Sequence, residues 1–484
     1  MLSQILVLCL SFLIIGWARR TRKLGVHPPG PRGLPFLGNT LQIPRDRQWL
    51  KWAEWKAQYG SVSILGTPTI ILSSVEAAID LLESRGSIYS DRPTATMAGE
   101  LVGWSRGLGY AQASHNPRFR DLRRLFHQFM GPRACGEATL LGIQDRENKR
   151  LLRKLLTDPD NFDDHARNCT SSLILGLTYG YPSDLGDPLG LIKIAQDAME
   201  GFSVASEPGR WWVDSIPALK YLPPWFPGAS FQREAQRMRA DLDKLFEVPY
   251  QFVKNEISSG RPHPSFLLSY LEEKNGKETA EEEDLVQGFA TALYSALTSF
   301  ILAMALNPEV QDLAQAEIDA LLTDSKSQRA IPTRLPTFDD RTRLPYVSAI
   351  VKEVWRWNPS LPHVVTQDDE YRGYTIEKIF PEPFKFRPER YLTADNEANS
   401  TVAAAFGFGR RICPGMHIAE NSVFIAIATI LCMFRVSKSI DEQGKVVEPV
   451  VEYDGFISHP QTFKCKIELR LKELRSLIEA DLEH

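Results

Sequence analysis

The sequence has few cysteines, and none lie close enough together to form a common metal or disulfide motif. Its 484 residues include six cysteines, at positions 9, 135, 169, 413, 432 and 465, and no Cys-x-x-Cys pair. This spacing argues against a zinc knuckle and against the dense disulfide framework of small secreted proteins. We therefore expect the main part of the chain to face a reducing, cytosolic compartment.

The sequence also lacks the excess of basic residues that a nucleic-acid-binding protein needs. Its formal net charge is −4, with 43% hydrophobic and 24% charged residues. A nucleic-acid partner would call for a basic domain, so this class of partner is excluded. No internal repeat, low-complexity segment or linker rich in proline and serine divides the chain. We predict one large domain, although the length alone would permit two or three.

An uncharged apolar stretch from Leu2 to Ala18 is followed at once by the basic segment "RRTRK". A cleaved signal peptide carries its charge before the apolar stretch, so a secretory signal is the weaker alternative. The order found here favours an uncleaved anchor with the rest of the chain on the cytosolic side. We predict a transmembrane anchor over 1–18, a stiff basic and proline-rich hinge over 19–36, and a large domain over 37–484.

The apolar pattern predicts a mainly α protein with small β-sheets. Residues 61–74 alternate between apolar and polar side chains and are rich in β-branched residues, which predicts a hairpin. Strand-like segments return near 363–376 and 447–470. The predicted helices cover 75–85, 118–130, 136–157, 164–178, 230–258, 281–306 and 308–322.

One cysteine, Cys413, lies in the glycine-rich and basic loop "FGFGRRICPG", from Phe406 to Gly415. The apolar stretch after Gly415 predicts a buried helix, so Cys413 would lie just before a helix N-terminus. That position and the adjacent arginines favour a thiolate over a thiol. Glycines let a flat group approach the backbone, and arginines pair with anionic groups at its rim. These properties fit haem, with its iron on the sulfur and its propionates on arginine.

Three further segments stand out before or beside this loop. "KEVWRW" places Glu353 and Arg356 three residues apart on one helical face, which is more often an ordinary solvated pair. "FKFRPERYL" offers Arg390 as a third member of a buried cluster. "PRFRDLRRLFHQ" (117–128) is a strongly basic helix. His363 follows the Glu353 helix and, taken alone, is more simply explained as a structural histidine than as a ligand.

Together these segments resemble the cytochrome P450 family of haem-thiolate monooxygenases. The resemblance rests on the cysteine loop, on the Glu-x-x-Arg pair Glu353 and Arg356, and on the segment Pro388 to Tyr391 between them. It extends over the whole chain, and "DDEYRGY" and "FKFRPERYL" are most similar to fungal membrane-bound members. The resemblance implies the fold of that family, with a single haem domain behind the membrane anchor.

The resemblance also implies a role for each matching residue. Cys413 would bind the iron of haem b, with Phe406 beside the sulfur and Gly407, Gly409 and Gly415 shaping the loop. Arg411, Arg123 and His363 would meet the haem propionates. Glu353, Arg356 and Arg390 would be structural. The basic face with Arg118, Arg120 and Arg124 would dock an NADPH-dependent cytochrome reductase. Phe119 stands where the family usually has tryptophan.

Two family segments have no counterpart in this sequence. The family's central helix carries an acid followed by threonine, which steer protons to bound oxygen, whereas here Tyr294-Ser295 continues directly into Ala296-Leu297. Asp284 is too far from Thr291 or Thr298 to form that pair, so no catalytic residue is identified. Lys378 also continues directly into Ile379, where the family has a strand, a short helix and a turn. We interpret both as excisions from a gene model or a splice variant.

The resemblance implies oxidation of a small lipophilic molecule, in secondary metabolism or xenobiotic oxidation, with O₂ and electrons from NADPH. Substrate would meet residues 94–113, 196–226, 361–365 and the central helix. The aromatic segment "GRWWVDSIPALKYLPPWFPG" would pack internally or enter the membrane interface. Two alternatives remain open. One is a haem-thiolate isomerase or dehydratase, which would turn over without NADPH. The other is a catalytically incompetent chain, either a haem binder or an unfolded splice product, which absence of haem after expression would favour.

Overall fold

The computed structural model describes most of the chain after residue 28. The described residues are 29–34, 37–44, 51, 54–55, 61–64, 67–72, 75–114, 116–182, 186–207, 209–274, 294–323, 331–357, 382, 385–392, 405–454 and 457–479. The predicted anchor over 1–18, most of the hinge, Asp284, Thr291, the predicted strand near 363–376 with His363, and the junction at Lys378-Ile379 lie outside these residues. By its contacts the chain divides into two compact units, residues 1–84 with 368–379 and residues 85–367 with 380–484.

The first unit contains a small antiparallel sheet. Strands β1 (Ser61–Ile64) and β2 (Thr67–Ile70) pair in the register Ser61 to Ile70, where the alternating pattern predicts a hairpin. Gly38 bridges to Ile64 with a φ of 58°, and a Cβ there would lie 2.2 Å from the Ser63 carbonyl oxygen. Only glycine permits that approach. Helix α1 (Val75–Ala78) continues as a π-helical segment, Ile79–Ser84.

The second unit is mainly helical, as the apolar pattern predicts. Its described α-helices are α2 (Gly86–Tyr89), α3 (Pro117–Met130), α4 (Ala138–Thr157), α5 (Phe162–Tyr179), α6 (Leu191–Ser206), α7 (Trp212–Ser215), α8 (Ser230–Ser258), α9 (Phe266–Lys274), α10 (Tyr294–Leu306), α11 (Pro308–Leu322), α12 (Pro345–Trp357), α13 (Met416–Met433) and α14 (Arg475–Glu479). Helices α2, α6, α7, α9 and α14 are additions to the predicted set, and α10 is the described end of the predicted helix over 281–306.

The core of this unit is a group of packed helices around α13. Every residue from Ser422 to Met433 is buried, and α13 packs against α4, α10, α11 and α12. Among the described helices, α13 alone is long and apolar enough to cross a membrane, but most of it is covered by protein. A helix that is apolar on every side over most of its length is typical of a protein core, because that part has no polar face to present to water.

Two small sheets follow α13. Strand β3 (Phe434–Lys438) begins where the helix ends and pairs antiparallel with β6 (Cys465–Leu469), and β4 (Tyr453–Asp454) pairs with β5 (His459–Pro460). Strands β4, β5 and β6 lie within the predicted strand region over 447–470, whereas β3 precedes it and was not predicted. The outer edge of β3 is covered by α11, where Gln311 bonds both backbone groups of Val436 and Gln315 donates to Phe434. These amides satisfy backbone groups that would otherwise be buried without partners.

Candidate functional site

The loop around Cys413 is held by its own backbone. The Cys413 N–H donates to the Phe406 carbonyl at 2.7 Å, and the Ile412 N–H donates to Gly409 at 3.2 Å. Gly407 and Gly409 have φ angles of 81° and 55°, a region that other residues enter only with strain. The glycine-rich pattern therefore produces a tight turn that ends at the cysteine, three residues before the first residue of α13.

The sulfur of Cys413 accepts a hydrogen bond from the Gly415 N–H, and Arg123 lies near it. Burial raises the pKa of the Cys413 thiol, and the Gly415 N–H and the Arg123 charge offset only part of that increase. At neutral pH the raised pKa favours the thiol over the thiolate. This differs from the thiolate that the basic loop and the helix N-terminus predict, because burial outweighs both. A metal cation on the sulfur would reverse the balance.

Phe406 packs beside the cysteine loop and against α12. Its ring lies 4.8 Å from that of Trp355, at an angle of 57°, and both side chains are buried. Trp355 follows Glu353 by two residues, so the helix with the Glu-x-x-Arg pair also supports the loop. No property of the sequence indicated this contact, because it joins residues far apart in the chain.

Two predicted cofactor residues, Arg411 within the loop and Arg123 on α3, make hydrogen bonds at the cysteine loop. Asn116 accepts from the Arg118 N–H and Pro117 opens α3, which directs Arg123 to the Ile412 carbonyl at 2.5 Å. Arg411 donates to the carbonyls of Ser90 (2.6 Å), Leu108 (2.9 Å) and Ala111 (2.5 Å). Its guanidinium lies 4.4 Å from the ring centre of Phe119. It therefore joins the cysteine loop to the segment 90–111.

This region carries more buried positive than negative charge. Burial, followed by repulsion from Arg92, lowers the pKa of Arg411 to about 10, with Asp91 opposing and Arg123 adding to the effect. Arg92 is absent from the sequence prediction, and nothing in "YSDRPT" distinguishes it from a surface arginine. Guanidinium groups that meet mainly carbonyl oxygens retain their charge and can pair with carboxylates. The donor set of a cysteine sulfur flanked by arginines fits an anionic haem.

The predicted structural residues form one buried cluster on α12. Glu353 is fully buried and receives Arg356 through two hydrogen bonds, of 2.7 and 2.9 Å. The Arg387 N–H donates to the same carboxylate at 2.7 Å, and the Arg390 Nε lies 3.5 Å from it. Arg390 also donates to the carbonyls of Glu382 and Lys385. The cluster therefore ties the turn at Pro388–Tyr391 to α12.

The central helix α10 is regular at the junction where the acid and threonine pair is absent. The Ser295 hydroxyl donates to the Ser458 carbonyl, and the Thr298 hydroxyl donates to Tyr294 and Ser295 within its own helix. From Ser295 to Ala305 every residue is buried and uncharged. The described part of α10 thus offers no acid for proton transfer.

A cavity of about 190 Å³ lies in the segment predicted to line the substrate site. Polar side chains on its wall include Glu100, Ser105, Tyr110, Gln112 and Asn116. Helices α6 and α8 pack against this segment: Trp104 and Phe202 meet edge to face at 4.8 Å, and Arg106 pairs with Asp243 at 3.0 Å. The predicted contributions of 94–113 and 196–226 therefore meet in one place, while 361–365 lies outside the described residues.

The chain is similar to proteins of known family. The family model "Cytochrome P450" matches residues 28–467. The chain is 38% identical to "Cytochrome P450 monooxygenase claR" of Ampulloclitocybe clavipes, over 93% of this chain and 88% of that protein. It is 38% identical to "Cytochrome P450 monooxygenase 208" of Postia placenta (98% and 96% covered) and 36% identical to "Tryptamine 4-monooxygenase" of Psilocybe cyanescens (97% and 99% covered).

Proposed function

The chain belongs to the cytochrome P450 family of monooxygenases, oxidoreductases that hold haem b through a cysteine, and we propose that Cys413 is that cysteine. The observation that carries the proposal is the sulfur's setting. A neutral, partly buried thiol accepts the Gly415 N–H beside Arg123 and ends a glycine turn just before a core helix. Such a group needs a cation to become a thiolate, and haem iron supplies one.

Haem held in this way supplies the iron centre at which O₂ is reduced and one oxygen atom is transferred, and a thiolate ligand favours cleavage of the O–O bond. The chain's own residues position and shield that group. The buried pair Phe406 and Trp355 would exclude water from this side of the loop, and the Gly415 N–H would moderate the charge on the sulfur. Arg411 and Arg123 would exchange carbonyl contacts for the haem propionates, and His363 is a further candidate for this role.

We propose that the substrate is a small lipophilic molecule. The aromatic segment 212–226 supports this proposal, because Trp212, Tyr221 and Trp225 are 63%, 80% and 79% exposed. Large aromatic side chains prefer the membrane interface to water. In a protein held at the endoplasmic reticulum by the proposed single-pass anchor, this segment would receive substrate from the bilayer. Secondary metabolism and xenobiotic oxidation both fit such a substrate, and one relative is named for tryptamine oxidation.

Electrons are proposed to come from NADPH through a membrane-bound reductase that docks on the basic face of α3. Arg120 and Arg124 on that face are exposed, whereas Arg118 is half-buried and donates to the Arg106 carbonyl at 2.8 Å. The two exposed arginines are therefore the better candidates for contact with an acidic partner.

A specific observation favours isomerase or dehydratase chemistry as the second candidate. The described part of α10 carries no acid, and rearrangement of an already oxidised substrate does not require proton delivery to bound oxygen. The alignment with the Postia placenta relative extends over 511 positions, more than the 484 residues of this chain, so part of that relative has no counterpart here. This is also what excision of two segments would produce, in which case the chain would be catalytically incompetent.

The test is the carbon-monoxide difference spectrum of the reduced full chain, beside Cys413→Ser. We expect the red-shifted Soret band of thiolate-ligated haem in the chain and its loss in the variant. The same band in both would overturn the assignment of Cys413. Product formed only with NADPH and reductase supports the monooxygenase, product without NADPH supports the isomerase or dehydratase, and absence of haem supports the incompetent chain.

A further inference from the structure

We propose that Gln144 and Asn148 on α4 are positioning residues for Cys413, because they fix the rotation and height of the helix that follows it. Both side chains are buried, at 2% and 3% exposure, and both point at polar residues of α13. The inference rests on the proposed role of Cys413 as the iron ligand. It concerns residues outside the cysteine loop.

Two interhelical hydrogen-bonded pairs join α4 to α13. The Ser422 hydroxyl donates to Gln144 Oε1 at 2.8 Å. Asn148 Nδ2 donates to Thr429 Oγ1 at 3.1 Å, while the Thr429 hydroxyl itself donates to the Ile425 carbonyl of its own helix at 2.7 Å. The pairs are four residues apart on α4 and seven apart on α13. They therefore define two separate points of contact, which together specify rotation as well as position along the axis.

The remaining buried surface of α13 cannot specify its position in this way. Apart from Ser422 and Thr429, the residues from Ser422 to Met433 are apolar or cysteine, and they are buried on every side. Apolar side chains exchange neighbours at small cost, whereas a buried polar side chain without its partner costs free energy. Buried polar pairs are known to fix helix register for this reason, even where they contribute little to stability.

The two ends of α13 are held by different contacts. Arg470 donates to the carbonyls of Leu431 and Cys432, and β3 continues directly from the helix. Near the beginning, Asn421 donates to the Cys135 carbonyl at 3.3 Å, and the Gln144 pair follows one residue later. The Gln144 pair thus lies in the half of α13 that is nearest to Cys413, and the Asn148 pair adds a second contact in the far half.

The size of a possible shift of α13 shows why the position of this helix matters for iron binding. One helical turn is about 5.4 Å, more than twice a metal–thiolate bond of about 2.3 Å. The Met416 N–H donates to the Cys413 carbonyl at 3.4 Å, so a movement of α13 also moves the cysteine. A rotation or shift that exchanges one apolar neighbour for another would therefore displace the sulfur.

The test removes each pair without leaving a polar group unpaired. Asn148→Leu with Thr429→Val, and Gln144→Met with Ser422→Ala, replace both partners with apolar side chains of similar size. Thr178→Val on α5 is the matched control, because the buried Thr178 hydroxyl donates to Ile174 within its own helix, as Thr429 does to Ile425. Thr429→Ser retains the hydroxyl and is the conservative variant.

In the haem-loaded chain we expect the ratio of thiolate-ligated to other haem to fall about five- to tenfold in each double variant, the size that loss of a hydrogen bond implies. Haem content and the urea midpoint should stay near those of the original chain, and Thr429→Ser should restore the ratio. In haem-depleted full-length chain, the alkylation rate of Cys413, followed by peptide mass spectrometry, should rise.

An unchanged thiolate ratio and an unchanged alkylation rate in both folded double variants would overturn the inference. A loss that follows the urea midpoint to the same extent in Thr178→Val would also overturn it, since that outcome shows only general destabilisation. If the unsubstituted chain shows no thiolate band, the assignment of Cys413 as iron ligand fails. The alkylation rates in haem-depleted chain then decide the positioning role separately.

Discussion

Two groups of arginines in this protein differ in whether they meet a carboxylate of the chain. On α12, Arg356 and Arg390 share the carboxylate of Glu353. At the cysteine loop, Arg411 and Arg123 donate to carbonyl oxygens and repel one another. Buried charges are stable when they are paired. The first group is complete within the chain and serves structure, whereas the second retains unbalanced positive charge, the property that a cofactor with propionates requires.

Glu353→Gln is expected to have the largest effect, because it removes the carboxylate that distinguishes the first group from the second. It leaves two buried arginines without their anion, and we expect the free energy of unfolding to fall by about 3–5 kcal/mol. Urea unfolding measures the loss. Glu448→Gln is the control, because its 2.7 Å ion pair with Lys438 is exposed and should contribute about 1 kcal/mol or less. Equal losses in the two variants would contradict the structural role of Glu353.

Arg411→Met tests the second group. Removing the guanidinium should weaken haem retention about 10- to 100-fold, as expected for loss of a cofactor-orienting partner. Haem transfer to apomyoglobin measures retention, and a urea midpoint measured in parallel separates binding from folding. Arg410→Met is the control, since the adjacent Arg410 is exposed. Similar haem retention in both variants would show that Arg411 meets no propionate.

Asp340 is a second buried carboxylate that is paired with arginine, and its contribution to the free energy of unfolding depends on pH. Hydrogen bonds from Arg334, followed in effect by those from Thr337, hold the pKa of the Asp340 carboxyl well below its usual range despite burial. A lowered pKa in the folded state means that this contribution is present above about pH 5 and is lost as the pH falls further. We expect Asp340→Asn to cost about 2 kcal/mol at pH 7 and less at pH 4.

The free energy of unfolding is measured for Asp340→Asn and for the original chain at both pH values, and the difference between the two proteins is compared. Taking this difference cancels the other carboxylates, because they titrate alike in both proteins. A difference that stays constant between pH 7 and pH 4 would show that the ionised carboxylate is not what stabilises this turn.

The smallest expected effect concerns the exposed arginines of α3. Arg124→Ser should slow reduction by the reductase at low salt by an amount that corresponds to about 1 kcal/mol or less, and high salt should remove the difference. Arg237→Ser on α8 is the control, because Arg237 is similarly exposed and also pairs with an acid three residues away. Equal slowing in both variants would exclude α3 as the docking face.

The helices were predictable where the apolar pattern is strong or a terminus is marked. The predicted helix over 230–258 matches α8, and the start predicted near 118 agrees with α3, where asparagine and proline mark the N-terminus. Helix α6 was not predicted. It begins after Gly190 without a side-chain cap, and its pattern was interpreted only as part of a substrate-lining stretch.

The sequence by itself determined the family, the mainly α fold and the identity of the residues around Cys413, because these depend on local patterns and residue types. Only the tertiary structure decided the protonation state of the thiol, the carbonyl partners of Arg411 and the two polar pairs between α4 and α13. Each of these depends on groups that are hundreds of positions apart in the chain, such as Asn148 and Thr429. Burial and hydrogen bonding between such groups arise only when the helices pack.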